Sequence, residues 1–185
     1  STYAGVLIGI VNTLWLFPHF FTPEQYGLTQ VLLAITVIFT QLSQLGTPAT
    51  LTNFLPRIKE DTGKTGAFLS VMFGAPVAGF FLVALATLLF QVDIKEFYIE
   101  KSKLVTDYYL WVYPITFFYV YMYVLYSYCR TFLRIAFPTL VLDVVIKVCV
   151  SVELLLFHFH FFSFTGFIML FTLNYGIAAL LLWIY

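Results

Sequence analysis

Six long apolar runs, separated by short polar or charged segments, dominate the hydropathy pattern of the chain. Each run is about 20 residues long, which is the length that an α-helix needs to cross the hydrocarbon core of a bilayer. The runs are continuous and do not alternate at every second residue, so the pattern predicts membrane-spanning helices and not barrel strands. The predicted spans cover about 3–21, 26–45, 66–90, 108–129, 138–157 and 161–185.

The composition also indicates a helical membrane protein. The 185 residues are 62% hydrophobic and only 10% charged, whereas a soluble domain is about 25% charged and needs a polar surface. The nine Lys/Arg balance the nine Asp/Glu, which argues against nucleic acid as a partner because such proteins carry a basic face. We therefore expect an all-α polytopic membrane protein in contact with the lipid bilayer.

The distribution of Lys and Arg predicts an orientation. The loops after the second and fourth spans hold five of them, and the loop after the third span holds three. Because cytoplasmic loops are enriched in Lys and Arg, we expect the N-terminus and the first two of these loops in the cytoplasm. The chain starts at Ser1 and ends inside an apolar run at Tyr185, from which we expect a fragment of a longer membrane protein.

Polar side chains occupy about half of the circumference of the second span, at 100° per residue. One face carries Gln30, Gln41 and Gln44, and the neighbouring face carries Thr36, Thr40, Ser43 and Thr47. Two interpretations remain open. The polar groups form hydrogen bonds to other helices, or they form a wall of a water-filled cavity, which the width of the polar arc favours.

Small residues in two other spans predict close helix packing. The first span contains the pair Gly5 and Gly9, followed by Asn12, which suits either packing or a cavity. The third span has small residues at four-residue spacing, from which we expect a tightly packed helix. These residues are Gly66, Ser70, Gly74 and Ala78.

The fifth span carries the charged residues that are most costly in a membrane. Asp143 and Lys147 are four residues apart, so they share a helix face and can pair, and Ser151 continues that face. Intramembrane charges usually face a bundle interior or water and mark function. The two interpretations are a structural ion pair and a site for a substrate or coupling ion. Glu153 lies near the end of the span, where we expect it to reach the interface.

Aromatic residues and cysteines add less specific information. Eight of the 13 tyrosines lie in the fourth span, where they suit interfacial belts or stacking on sugar rings. The two cysteines, Cys129 and Cys149, lie in apolar runs, as expected for packing residues. The sequence contains none of the patterns H-E-x-x-H, G-x-S-x-G, G-x-G-x-x-G or a Walker loop. We therefore expect no enzyme, no cofactor and no metal site.

One part of the chain resembles a known family. The matching stretches are G-I-V-N-T-L-W-L-F-P at 9–18, T-P-E-Q-Y-G-L at 22–28, L-G-T-P at 45–48 and N-F-L-P-R at 53–57. They resemble the opening of bacterial lipopolysaccharide and polysaccharide flippases, which belong to the multidrug/oligosaccharidyl-lipid/polysaccharide exporter superfamily. The T-P-E-x-Y-G stretch is the most specific part, and the resemblance covers roughly residues 1–60. The basic residue that the family often has in its first span is absent here.

The resemblance implies an architecture and a function. The chain would form the first lobe, with six helices, of a transporter of about 12–14 helices that works by alternating access. It would move a lipid-linked oligosaccharide across the bacterial inner membrane, driven by Na⁺ or H⁺ and assisted by other polysaccharide-assembly proteins. The implied cavity residues are Asn12, Gln30, Gln41, Gln44 and Asn53. The candidate contacts to the substrate diphosphate are Arg57, Arg130, Arg134 and Lys147, and Asp143 is left to a coupling ion or to Lys147.

Three other functions remain open at the level of sequence. They are a multidrug efflux carrier of the same superfamily, a membrane-embedded glycan-assembly enzyme and a structural membrane subunit. The enzyme would need a large loop with acidic residues, which the chain lacks. Each arginine also suits simple anchoring at the cytoplasmic interface. Lys147 and the arginines favour an anionic substrate.

Overall fold

The computed structural model describes residues 2–58, 62–89 and 103–185, and every regular element within these ranges is helical. A helix that continues through a π or 3₁₀ turn is counted as one element, which gives seven helices in the described residues. The first four helices are α1 (Thr2–Val11, a π turn at Asn12–Leu16, and Phe17–Phe20), α2 (Pro23–Ser43), α3 (Thr47–Ile58) and α4 (Thr62–Leu89). The later ones are α5 (Lys103–Tyr108, a 3₁₀ turn at Tyr109–Trp111, and Val112–Thr131), α6 (Ala136–Leu140, a π turn at Val141–Val145, and Ile146–His158) and α7 (Phe164–Ile184).

Five helices are long and apolar enough to cross a membrane, which confirms the all-helical class and the features of a multi-pass membrane protein. They are Tyr3–Phe20, Pro23–Ser43, Lys64–Leu89, Leu104–Thr131 and Phe164–Ile184. The predicted span at 138–157 lies in α6, which is of similar length but carries Asp143, Lys147 and Glu153. The charged segments at 59–61 and 91–102, which enter the predicted orientation, lie outside the described residues.

The start of α2 follows directly from its sequence. Thr22 and Gln25 form a capping box, in which Thr22 Oγ1 accepts from the Gln25 N–H and Gln25 Oε1 accepts from the Thr22 N–H. These bonds satisfy donors that have no partner within the helix. Pro23 occupies the first turn, where its missing N–H costs nothing. The start of α2 agrees with the predicted boundary between the first span, which ends at 21, and the second, which begins at 26.

The second helix ends close to the predicted end of the second span at 45, but the chain then enters a helix that the sequence analysis does not predict. Leu45 and Gly46 both have positive φ, at 48° and 77°, which ends α2 and redirects the chain. Helix α3 follows, and it buries Leu51 and Leu55 against α5. These two leucines are four residues apart, so they form a narrow buried stripe on one face of a helix that also exposes Phe54.

Helix α5 lies at the centre of the bundle. It packs against α7, α2, α3 and α4, whereas α6 packs against α7 and α1. Helix α1 has its main contacts with α6, and the two run parallel, because Gly5 lies beside Asp143 and Phe20 lies beside His158. The bundle therefore holds α1 at one edge, and an open space remains between α1, α6 and α2.

The predicted close packing through glycine is confirmed in α1. A Cβ on Gly5 would meet the backbone carbonyl of Asp143, and one on Gly9 would lie 3.3 Å from Lys147 Nζ. In α4 the predicted stripe of small residues does not form the close contact, because a Cβ on Gly66 or Gly74 would have no neighbour within 4 Å. The close approach of α4 is at Gly79, which faces the Ser43 carbonyl of α2.

Substitution of these glycines by alanine provides a direct test of the packing. We expect Gly5→Ala to lower the melting temperature of the purified protein in detergent, because overpacking costs about 1–3 kcal/mol. Gly74→Ala is the matched control, since its Cβ meets open space and alanine is favoured over glycine in a helix by about 1 kcal/mol. Equal melting temperatures for the two variants, measured by circular dichroism, would contradict the close contact between α1 and α6.

Candidate functional site: a polar cavity between α1, α2 and α6

A cavity of about 360 Å³ lies between α1, α2, α5, α6 and α7. Four of the residues that the sequence analysis singles out line it, on three different helices. They are Asn12, Gln30, Asp143 and Lys147. The structure thus brings together residues that are more than 100 positions apart in the chain, and it places polar groups where apolar helices enclose a space.

Both π turns of the described chain lie at this cavity. Asn12 and Thr13 belong to the turn in α1, and Leu142 and Asp143 belong to the turn in α6, and all four line the cavity. A π turn inserts one residue into the helix and is frequent at functional sites. In each case the inserted residue changes which side chains the helix presents to the cavity.

Hydrogen bonds between side chain and backbone hold α1 against α6. Asn12 Nδ2 donates to the Lys147 carbonyl at 2.9 Å. The Ser151 hydroxyl lies 2.6 Å from Asn12 Oδ1 and 2.8 Å from the Lys147 carbonyl, and it can donate to either acceptor. Asn12 is only 4% exposed, so these bonds satisfy an amide that would otherwise be buried without partners.

The ammonium group of Lys147 binds the backbone of α1. Its Nζ donates to the Gly5 carbonyl at 2.9 Å, and its side chain lies over Gly9. The absence of a side chain at Gly9 leaves the space that the lysine occupies. Among the described residues, Asp143 and Lys147 form no ion pair, although both line the cavity. The structure thus gives Lys147 a partner on α1 in place of the pair that their four-residue spacing permits.

Tyrosines form another wall of the cavity. Tyr119 and Tyr123 of α5 and Tyr175 of α7 line it, with ring centroids 5.0 Å apart for the first two and 5.1 Å apart for Tyr119 and Tyr175. Such rings offer an apolar face together with a hydroxyl group that forms hydrogen bonds. The cavity therefore combines an aromatic wall with a charged and amide-bearing wall.

The other candidate residues lie away from this cavity. Gln41 and Asn53 are exposed on α2 and α3, and Gln44 is buried, with its Nε2 lacking a hydrogen-bond partner. The three arginines are exposed at the ends or outside of helices, and two contact aromatic rings. The guanidinium of Arg57 lies 5.9 Å from the Phe54 ring centroid, and that of Arg134 lies 5.6 Å from the Tyr185 ring centroid; Arg130 lies in the last turn of α5.

The polar arc of α2 divides into two parts. Thr36, Thr40 and Ser43 are buried among the helices, and their hydroxyl oxygens have no hydrogen-bond partner. Gln30 and Gln41 are exposed, and Gln30 reaches the cavity. The buried position of the first part fits packing against other helices, but these hydroxyls lack the hydrogen bonds that the packing interpretation expects. Gln30 matches the cavity interpretation.

The sequence analysis does not predict the burial of two polar residues at the interface of α6 and α7. Glu153, which we expected at the membrane interface, is 7% exposed, and Asn174 of α7 is 6% exposed. One signal in the sequence could have indicated this pair. Asn174 is the only amide or charged side chain between residues 161 and 185, and an amide in such an apolar run needs a polar partner.

Comparison with known proteins gives no relative: no family model, no curated protein and no solved structure matches the chain.

A double-mutant cycle measures the contact between α1 and α6. We expect Asn12→Ala and Ser151→Ala each to lower the free energy of unfolding by about 1–3 kcal/mol, because each leaves a buried polar group unpaired. The double variant should lose less than the sum, with a coupling of about 0.6 kcal/mol or more. Unfolding in mixed micelles measures these values. Thr13→Ala combined with Ser151→Ala is the control and should be additive; the same additivity for Asn12 and Ser151 would contradict the bond.

Proposed function

We propose that this chain is the first lobe of a flippase that moves a lipid-linked oligosaccharide across the bacterial inner membrane in lipopolysaccharide or polysaccharide biosynthesis. The observation that carries the proposal is Lys147, a cation that lines the cavity between otherwise apolar helices. A lipid-linked oligosaccharide carries a diphosphate, and a cation that lines the pathway compensates its charge away from water. Within the described residues, Lys147 is the one Lys or Arg side chain that lines this cavity.

The remaining cavity residues suit the other part of such a substrate. Gln30 and Asn12 supply amide groups, and the three tyrosines supply ring faces and hydroxyl groups. Amides and hydroxyls can replace the water that a glycan loses when it crosses about 30 Å of hydrocarbon. The volume of about 360 Å³ falls in the range of small-ligand sites, about 300–1,000 Å³, and the second lobe of the proposed transporter would enclose the remainder.

In the proposed arrangement α6 is a sixth span, which completes the lobe of a transporter of about 12–14 helices. Its parallel packing with α1 supports this proposal, because the first and fifth spans of an alternating chain run in the same direction. With the N-terminus in the cytoplasm, Arg57, Arg130 and Arg134 lie on the cytoplasmic side. There they would attract the substrate phosphates before loading, or anchor the chain at the interface. The substrate, the coupling ion and any polysaccharide-assembly partner are part of the proposal.

A multidrug efflux carrier of the same superfamily is the second candidate, and Asp143 is the observation that favours it. This carboxylate lines the cavity without an ion pair among the described residues, and a cationic drug would provide one. Lys147 acts against such a substrate by repulsion, so the two side chains discriminate between the two functions.

Substitution of Lys147 tests the anionic substrate. We expect Lys147→Met to lower surface-polysaccharide export by about tenfold or more, since a charge-assisted contact contributes about 1.5–3 kcal/mol. Lys147→Arg should retain most of the activity, and Lys64→Ala, at an exposed site on α4, is the control for a lost positive charge. Normal export by Lys147→Met, with the protein inserted at its usual level, would contradict the proposed contact. Loss of drug efflux in Asp143→Asn would instead support the second candidate.

Cysteine accessibility tests whether the cavity holds water. In a background with Cys129→Ala and Cys149→Ala, we expect Gln30→Cys to react rapidly with a charged methanethiosulfonate reagent. Gln44→Cys should be protected because Gln44 is 6% exposed within the bundle. Leu42→Cys should also react slowly, since Leu42 is exposed on an apolar side of α2 that we place against lipid, where the thiolate does not form. Equal reaction at all three positions would contradict the water-filled cavity.

A further inference from the structure

A buried carboxyl group lies outside the residues that line the cavity, at the interface of α6 and α7. Glu153 of α6 and Asn174 of α7 are 7% and 6% exposed, and they interact with each other across this interface. Even so, Glu153 Oε2 and Asn174 Nδ2 each lack a hydrogen-bond partner at ordinary distance and angle. Buried polar groups in folded proteins are nearly always paired, and Glu153 carries the one carboxyl group among the described buried groups that lack a partner.

No positive charge compensates Glu153 among the described residues. Helix α7 carries no charged residue, and the groups that face Glu153 from it are Asn174 and Tyr175. On α6 itself the nearest titratable group is the thiol of Cys149, while Lys147 is bound to the Gly5 carbonyl of α1. The titratable side chains of α1 are Tyr3 and His19, and neither interacts with Glu153.

An ionised carboxylate in this position would be buried without a partner charge, which costs several kcal/mol. A protonated carboxyl group avoids this cost because it is neutral. We propose that Glu153 is a proton-binding site of the lobe, formed by its carboxyl group and the Asn174 amide between α6 and α7. The unpartnered atom of Asn174 is the donor nitrogen, which suits an oxygen of the Glu153 carboxyl group and does not ligate a metal cation.

The site lies close to the cavity. Tyr175 lines the cavity and also interacts with Glu153. A proton from cavity water that reaches Glu153 makes the carboxylate neutral, and the reverse transfer returns the proton to water.

This inference deepens the proposed function, and one part of it rests on that function: the coupling of transport to protons. If the chain transports the proposed substrate, the ion that drives transport is H⁺ and not Na⁺. The affinity of the site for a proton does not depend on the identity of the substrate, so the two claims are tested separately.

Reaction with dicyclohexylcarbodiimide tests the site, because this reagent modifies protonated carboxyl groups in apolar surroundings. We treat the full-length protein in detergent micelles and locate the adduct by mass spectrometry. The expected result is modification of Glu153 that is about tenfold or more greater near pH 6 than near pH 9, as for a titrating acid, and that NaCl does not change. Glu24, exposed in the first turn of α2, is the matched control and should remain unmodified.

Each other outcome overturns the proposal. Absence of the adduct on Glu153 at every pH shows a carboxylate that stays ionised, and an adduct that does not depend on pH shows a group that does not exchange its proton. Protection by Na⁺ assigns the site to sodium. Glu153→Gln, which mimics the neutral form, should retain the melting temperature and remove the adduct, which confirms the assignment of the modified peptide.

A second measurement tests the coupling. In vesicles that contain the full-length protein, a pH gradient should drive polysaccharide-precursor transport by the wild type, and Glu153→Gln should lower this driven rate about tenfold or more, to the rate without a gradient. Glu153→Asp should retain part of it. Normal gradient-driven transport by Glu153→Gln overturns the coupling role. If the adduct does not form but transport is normal, the proton site is refuted and the proposed function remains intact.

Discussion

The contact between α1 and α6 is the interaction on which the rest of the candidate site depends. Helix α6 carries three charged residues, and hydrocarbon offers no water to their polar groups. The glycines of α1 let the two backbones approach so closely that Lys147 reaches the Gly5 carbonyl and Asn12 reaches the Lys147 carbonyl. The same contact determines the position of α1 at the edge of the bundle, and the cavity exists because α1 stands there.

Polar groups in this bundle occur in three settings, and each has a different physical consequence. Those of the α1–α6 contact are paired with each other or with backbone carbonyls and serve packing. Those of the cavity, such as Gln30, face the open space between the helices. Those at the interfaces of α2 and of α7, such as Thr40 and Asn174, are buried and lack partners. Only the first setting contributes to stability in a simple way, because an unpaired buried group destabilises the fold.

The helices and their breaks could be predicted from the sequence, because the length of an apolar run and the backbone preferences of proline and glycine are local properties. The Gly5 and Gly9 contact could be predicted for the same reason. The partner of a small residue is not local, which is why Gly79 and not Gly74 forms the close approach of α4. Helix α3 was not predicted because its buried apolar stripe consists of only two leucines, which are too few to be visible in a hydropathy pattern.

The candidate site was predicted in part. Asn12, Gln30, Asp143 and Lys147 line one cavity, and polarity on a helix face indicates such an interior position but not a role. The expected position of Glu153 at the membrane interface was wrong, because it was taken from the place of the residue along the span and not from its neighbours. The apolar partner helix, which buries Glu153, is not visible in the pattern of α6 alone.

The bonds that join α1 and α6 connect residues 135 to 142 positions apart in the chain, and this separation bears on how the protein is made. Helix α1 is synthesised well before α6, so the carbonyl and amide groups that it later shares have no partner on α6 during that interval. When α6 emerges, the Gly5 carbonyl is already available to Lys147. The contact between the two helices therefore forms late relative to the synthesis of α1, which remains incompletely packed until then.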